Sequence, residues 1–346
     1  MLNMQCLLLI IKTIKGVINM NILKKVSLTA LGTSLIATSA FAGSMDVTGS
    51  AGITLANQDK TNKGNGLTMT DEITFTGSGE LDNGLTVTVS MQLDDNAVSS
   101  ASGTHYMDNR SVKIASEDFG TLTFYGHGGD TAFSMKDDTT PTAYGEAWDV
   151  LGTSTGGTAK LGRIAGAATG NNMFGYTNSG LMDGLTLNVS YMPSEGGAAQ
   201  TESTTSWGVE YSGVEGLTVG YAQDDNGLAG TSKIDYSVMY AKYAYGPVTV
   251  GITQSDQDAN GATNDDEFEA VGVTYQVSDD LTIGYNQSEY DNAGTTTDEE
   301  STNLSVSYTS GGMTIAAAFV SVDNQGGQST TVNDISGYEI DVSFAF

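Results

Sequence analysis

The chain has 346 residues, with 13 Lys plus Arg against 41 Asp plus Glu and a formal net charge of −28. So few cations exclude a nucleic-acid binder, which needs clustered Lys and Arg to neutralise phosphates. Beyond residue 42 no run reaches the roughly 18 apolar residues of a membrane helix, and the single cysteine, Cys6, leaves the rest of the chain without a disulfide framework or a thiolate centre.

The first 42 residues read as an export leader. Counted from Met20, Lys24 and Lys25 form a basic start, Val26 to Thr38 a mostly apolar core, and Ala40-Phe41-Ala42 a small-x-small cleavage site. The true start is therefore predicted at Met20 and the mature chain at Gly43. An inner-membrane anchor over residues 7–38 is the competing reading, but lysines at 12, 15, 24 and 25 interrupt that run. The leader carries four basic residues and no acid, so the mature chain keeps nine basic residues against 41 acidic ones.

From Gly43 onward the pattern is alternation with period 2, which marks strands with one polar and one apolar face. Leu85, Val87, Val89, Met91 and Leu93 alternate with Thr86, Thr88, Ser90, Gln92 and Asp94. The same alternation runs through Leu185 to Tyr191, Leu281 to Asn286 and Asn303 to Tyr308. A short turn followed by a rising strand also recurs, as in Asp183-Gly184-Leu185-Thr186 and Glu215-Gly216-Leu217-Thr218. From Leu185 the strand starts fall at 185, 217, 248, 281 and 313. Such a repeat holds two strands, a tight turn at one end and a longer acidic loop at the other, the asymmetry of an outer-membrane barrel. Sixteen strands are predicted, at about 45–57, 67–81, 85–95, 106–116, 119–127, 171–179, 185–193, 204–213, 217–225, 233–245, 247–256, 267–278, 281–290, 300–309, 313–322 and 333–346. Spans of this length suit tilted transmembrane strands of roughly 9 to 11 residues. The polar face of Thr, Ser, Asn, Gln and Gly predicts a water-filled lumen. Tyr191, Tyr211, Tyr221, Tyr275, Tyr285 and Tyr308 are placed on the lipid face as an interfacial girdle.

Two motifs interrupt this pattern. Gly152-Thr153-Ser154-Thr155-Gly156 fits G-x-S-x-G, which signals a nucleophile only on a strand-to-helix turn with a histidine partner. With only His105 and His127 in the chain, a barrel hydrolase using Ser154 and His127 is the enzymatic alternative. Asp256, Asp258, Asn260 and Glu267, with Gly261 at the sixth position, match the spacing of a twelve-residue calcium loop. Oxygen ligands at those positions could hold Ca2+ in an outer loop, although strands flank the match where helices would be expected.

Over residues 43–346 the chain resembles the general bacterial porins of the 16-stranded trimeric type. Three segments carry the resemblance. Tyr338, Ile340, Val342, Phe344 and the terminal Phe346 alternate and end in phenylalanine, like that family's assembly signal. Asn109-Arg110-Ser111-Val112-Lys113-Ile114 followed by Phe119-Gly120-Thr121-Leu122-Thr123-Phe124 is similar to the family's strand, turn and strand before its third loop. A connection far longer than the others then follows, at about 128–170.

The resemblance implies an all-β, 16-stranded antiparallel transmembrane barrel whose long third loop folds inward and narrows the pore. Asp137, Asp138, Glu146 and Asp149 would supply carboxylates to that constriction, with Arg110, Lys113 and His127 as the basic candidates opposite. Arg110 shares its parity with Val112 and Ile114 on the outward face, as Asp71 does with Met69 and Ile73. The lumen acids expected on strands are Glu210, Glu339 and Asp341. Acid clusters at Asp94-Asp95, Asp224-Asp225, Asp265-Asp266-Glu267 and Asp298-Glu299-Glu300 are assigned to outer loops and predict cation preference. The implied function is passive diffusion of small hydrophilic solutes and ions across the outer membrane, without catalysis or a required cofactor. The implied partners are two further copies in a homotrimer, outer-membrane lipids and lipopolysaccharide, the barrel-assembly machinery, and small polar solutes and cations. A structural or adhesive barrel plugged by residues 128–170 and a secreted β-sandwich are the other readings.

Overall fold

The computed structural model describes residues 43–346 except 60–65, 95–106, 151–162, 165, 167–169, 195–201, 260–264, 296, 328 and 330–333. The predicted leader, His105, Ser154 and Asn260 lie outside the described residues.

Sixteen strands follow one another as β1 (Ser44–Gln58), β2 (Gly66–Glu80), β3 (Thr86–Asp94), β4 (Met107–Ser116), β5 (Gly120–His127), β6 (Met173–Met182), β7 (Leu185–Met192) and β8 (Thr204–Val214). The second half comprises β9 (Leu217–Asp225), β10 (Ile234–Tyr245), β11 (Val248–Ala259), β12 (Asp266–Ser278), β13 (Leu281–Asp291), β14 (Glu299–Ser310), β15 (Met313–Asp323) and β16 (Ile335–Ala345). A one-turn helix, α1 (Ala147–Val150), lies in the long connection between β5 and β6. Each strand pairs antiparallel with its sequence neighbours, and β1 pairs with β16, so the barrel is closed. Closure satisfies every strand edge, which hydrocarbon could not hydrate.

The seam shows how sequence alternation becomes two surfaces. Ile53 stands opposite Val342 and Leu55 opposite Ile340, while Thr54 stands opposite Asp341 and donates to it at 2.8 Å. One parity therefore points outward and is apolar, and the other points inward and hydrogen-bonds. The chain end completes the seam: Phe346 N donates to Gly49 O and Gly49 N to Phe346 O, both at 2.9 Å, while Phe344 pairs with Ala51 and Met313. The tight turns require glycine where φ becomes positive, as at Gly184 and Gly216, both at +76°. The outward band carries exposed Tyr191, Trp207, Tyr275, Tyr285 and Tyr308, and Tyr211 and Tyr221 share the outward parity of their strands. No Tyr or Trp among the described residues of β1 to β5 takes the outward parity.

One part of the inner surface departs from the expected polar lining. Ala222, Val238, Phe268, Ala270, Ala318, Val320 and Val322 point inward and are buried in one cluster with Phe133, Trp148, Val150 and Ile164 of the long connection. The lumen therefore contains a packed core along part of its wall. Its sequence signal is Ile315 to Val320, where both strand faces are apolar and alternation fails.

Candidate functional site: a lumen narrowed by the long connection

The connection after His127 is pinched at its base. Gly129 N donates to Gly170 O at 3.0 Å, and Gly128 N donates to Asn171 Oδ1 at 3.2 Å. Gly170 has φ +54°, and a side chain there would overlap Gly129 O. From this neck the chain turns into the barrel and follows the inner wall. Ala132 N donates to Ser190 Oγ of β7 at 3.0 Å, and Phe133 N to Ser206 Oγ of β8 at 2.9 Å. Thr140 Oγ1 meets Thr253 Oγ1 of β11 at 3.2 Å, Ala143 N donates to Ser305 Oγ of β14 at 3.1 Å, and Asn303 Nδ2 of β14 donates to Gly145 O at 2.8 Å. Tyr144 OH reaches Glu339 Oε1 of β16 at 2.6 Å.

The wall is shaped to receive this path. A Cβ on Gly251 would stand 2.7 Å from Pro141 Cδ, and one on Gly284 would stand 2.6 Å from Ala143 N. Small residues and hydroxyls alternate beneath the loop because the backbone comes close enough to use the wall hydroxyls as partners. Behind it, Trp148 packs edge-on to Phe268 at 5.3 Å, and Phe133 packs edge-on to Tyr236 at 6.1 Å.

The acids of this segment converge. Carboxylate oxygens of Asp138, Glu146 and Asp149 lie within 4.8 Å of one another. Asp137, 4 % exposed, lies 3.4 Å from Arg163 Nη1, and Asp138 lies 3.2 Å from the same atom. Burial raises the Asp137 carboxyl to about 7 against the pull of Arg163. Burial, with Asp138 and Asp149 adding repulsion, also holds Glu146 well above the usual carboxylate range. Glu146 is therefore protonated at neutral pH, which relieves the repulsion among three crowded acids. Burial raises Asp138 less completely, with Arg163 opposing it. Asp138 and Asp149 keep exposed faces toward the lumen, whereas Asp137 and Glu146 are buried.

The basic candidates separate. Lys113 pairs with Thr88 and Thr123 on the inward row and is exposed. His127 lies at the neck, its Nδ1 3.4 Å from Asp108 Oδ1. Arg110 stands opposite Met91, on the outward row with Val112 and Ile114, so the expectation that it faces the acids across the lumen is corrected: strand parity fixes its side. Among the described residues, the positive charge paired with those acids is Arg163 of the loop itself, which the sequence reading did not select. Its only sequence signal is a lone arginine in a tract rich in Gly, Ala and Thr. Lys136 was also missed. It is 2 % exposed, its Nζ donates to Asn188 Oδ1 at 2.9 Å, and burial lowers its pKa.

Glu210, Glu339 and Asp341 take the inward parity of their strands. Glu210 accepts a hydrogen bond from Tyr240 OH beside Lys136, Glu339 holds Tyr144, and Asp341 bridges the seam to Thr54. These three acids are thus engaged within the wall.

Several acids assigned to outer loops sit on strands instead. Asp224 and Glu299 are buried, and Asp266 accepts from Tyr290 OH and Ala293 N, both at 2.8 Å. Asp256 and Asp258 belong to β11 and Glu267 to β12, with Asp256 directly opposite Glu267. An extended strand pair does not wrap an ion as a twelve-residue loop does, and Asn260 and Gly261, which complete the calcium-loop match, lie outside the described residues. The outward face there carries opposed acids, Glu269 against Glu289 and Glu289 against Glu300.

The model of the Gram-negative porin family matches residues 27–328. Among solved structures, an anion-selective porin from Comamonas acidovorans is 16 % identical, covers 88 % of this chain and 100 % of its own, and has a TM-score of 0.66. A loop-deletion mutant of OmpT, an outer membrane protein of Vibrio cholerae, is 17 % identical, covers 88 % of this chain and 100 % of its own, and has a TM-score of 0.63. The trimer form of in-vitro folded OmpT is 16 % identical, with the same coverages and a TM-score of 0.61. No curated protein matches the chain in sequence. A closed barrel of sixteen strands with an inward connection, matched by one family model over most of its length, is an outer-membrane channel of the passive-diffusion kind: the chain belongs to the Gram-negative porin family.

Proposed function

We propose that the protein is a non-enzymatic passage for small hydrophilic solutes and ions, preferring cations and narrowed by the described stretch 128–150 of the long connection. The observation that carries this reading is the one-sided seating of the loop. It covers inward residues from β7 to β16, whereas inward Thr70, Thr74, Ser90 and Ser111 of β2 to β4 are not buried. A conduit can run between the two. Asp138 and Asp149 border it on the loop side, with Asp137 and Glu146 behind them as a proton-dependent reserve of charge. On the strands the inward bases are Lys113 and Lys242, and Lys242 Nζ sits 5.5 Å from the Tyr240 ring centre. With the inward strand acids Glu72, Asp94, Glu210, Glu339 and Asp341 included, carboxylates outnumber Lys113, Lys242 and Arg163 along this path, and a field of that sign concentrates cations. The anion selectivity of the Comamonas porin belongs to that protein, whose identity to this chain is 16 %.

The reading includes removal of residues 1–42 on export, assembly as a homotrimer, delivery by the barrel-assembly machinery with Phe344 and Phe346 as the recognised end, and contact with lipid and lipopolysaccharide along the outward band. The packed core between loop and wall favours a second reading, a structural barrel with too little free lumen to conduct. Planar-bilayer recording of the refolded mature protein under a salt gradient decides between them. Stepwise openings with a cation-favouring reversal potential support the channel as proposed. Openings with an anion-favouring potential remove the selectivity claim, and a folded barrel that never conducts leaves the structural reading.

A further inference from the structure

The open side of the lumen has a composition of its own. Thr70, Thr74, Thr88, Ser90 and Ser111 share the inward parity of β2 to β4, and none is buried. Lys113 is the one base among them. The acid Glu72 is tied into a ladder of amides: Gln92 Nε2 donates to its Oε2, and Asn109 Nδ2 donates to Gln92 Oε1, both at 2.5 Å. The loop acids therefore face a wall mostly of hydroxyls and amides, carrying one base, Lys113, and the paired inward acids Glu72 and Asp94, with no row of cations opposite them among the described residues.

The chemistry of that wall points to a solute class. A hydroxyl both donates and accepts, and each hydrogen bond exchanged with water is worth only about 1 kcal/mol net. A solute carrying many hydroxyls can exchange its hydration shell for wall hydroxyls one bond at a time, with no deep minimum to trap it. A solute of the same size in which ether oxygens replace most of the hydroxyls can still use the wall's protons but leaves most of its lone pairs without a donor. We propose that the open wall of β2 to β4 is a selective surface for neutral polyhydroxylated solutes, small linear polyols and monosaccharides. This rests on the channel reading above and extends it from charge to chemical class.

The test compares ribitol with triethylene glycol, two neutral solutes of nearly equal mass, by swelling of proteoliposomes, with K+ conductance recorded on the same preparation. The unmodified protein should pass ribitol faster. Thr70→Val, Thr74→Val and Thr88→Val combined keep the side-chain shape and favour strand, and should lower ribitol entry about threefold to tenfold while K+ conductance changes less than about twofold. Equal rates for the two solutes in the unmodified protein overturn the proposal whether or not the variant folds. An unchanged ribitol-to-K+ ratio in a folded variant also overturns it. Loss of all K+ conductance in the unmodified protein strikes the channel reading itself, a result readily told from the other two.

Discussion

The inner surface of this barrel is two walls built from one alphabet. Beneath the loop, Ser190, Ser206, Thr253 and Ser305 are buried and bond to loop groups, and Gly251 and Gly284 leave room for its backbone. Across the lumen, Thr70, Thr74 and Ser111 are the same residue types but are left uncovered. A Ser or Thr at an inward position thus serves as a structural anchor or as a solvated lining according to what stands above it. Part of the difference lies in glycine, which permits the close approach, and part in apolar inward residues such as Val238, Phe268 and Val320, which give the loop something to bury against.

The largest expected effect comes from adding bulk to one wall and then to the other. A side chain at Gly272 would overlap Pro141 O and crowd Thr140 Cγ2 at 2.8 Å, so Gly272→Leu should unseat the loop and raise single-channel conductance several-fold. Thr74→Leu on the open wall should lower conductance instead. The same sign at both positions would break the comparison.

Next in size is the core that holds the loop. Phe133 is fully buried, and Phe133→Ala should weaken loop docking by about 3 to 5 kcal/mol. Hydrogen exchange over residues 131–150 should accelerate while the strands stay protected. Uniform loss of protection would show instead that loop and barrel are one cooperative unit.

The proton-dependent effect is smaller. Asp137, raised from 3.8 to about 7, is neutral below that pH and anionic above it. Its raised value stabilises the seated loop fully below the ordinary carboxylate range, and this contribution is lost as pH rises through about 7. Cation preference should therefore strengthen between pH 5 and 8, while loop exchange quickens over the same interval. Asp137→Asn should remove both steps, and a step that survives assigns the titration elsewhere.

The smallest effects concern single contacts. Tyr144→Phe removes the hydrogen bond to Glu339, worth about 1 kcal/mol, and should add current noise without changing mean conductance. Lys113→Ala should move the reversal potential toward cations, whereas Arg110→Ala, outward and remote from the lumen, should leave it in place. A shift at Arg110 equal to that at Lys113 would mean that parity does not sort the charges of β4.

Much of this arrangement was readable from local pattern. Period-2 alternation set the strand count, the faces and the parity of Arg110 and Lys113, because a strand's side chains point where the pleat sends them. Glycine at Gly184 and Gly216 marked tight turns because few other residues adopt positive φ. The length of the segment after His127 marked it as special, but its seat was not legible. Arg163 lies 26 residues from Asp137 in sequence, Thr253 more than 100 from Thr140, and Glu339 195 from Tyr144. Such pairings leave no periodic trace. Acid content alone also suggested a free negative field, whereas Asp224, Glu299 and Asp266 are spent on burial and hydrogen bonds. The sequence by itself determined a closed barrel with an apolar outside and a polar inside, since that follows from neighbours one and two residues apart. Only the tertiary structure decided which inward residues are covered and which carboxylates keep their charge, because burial is a property of what the distant chain places on top.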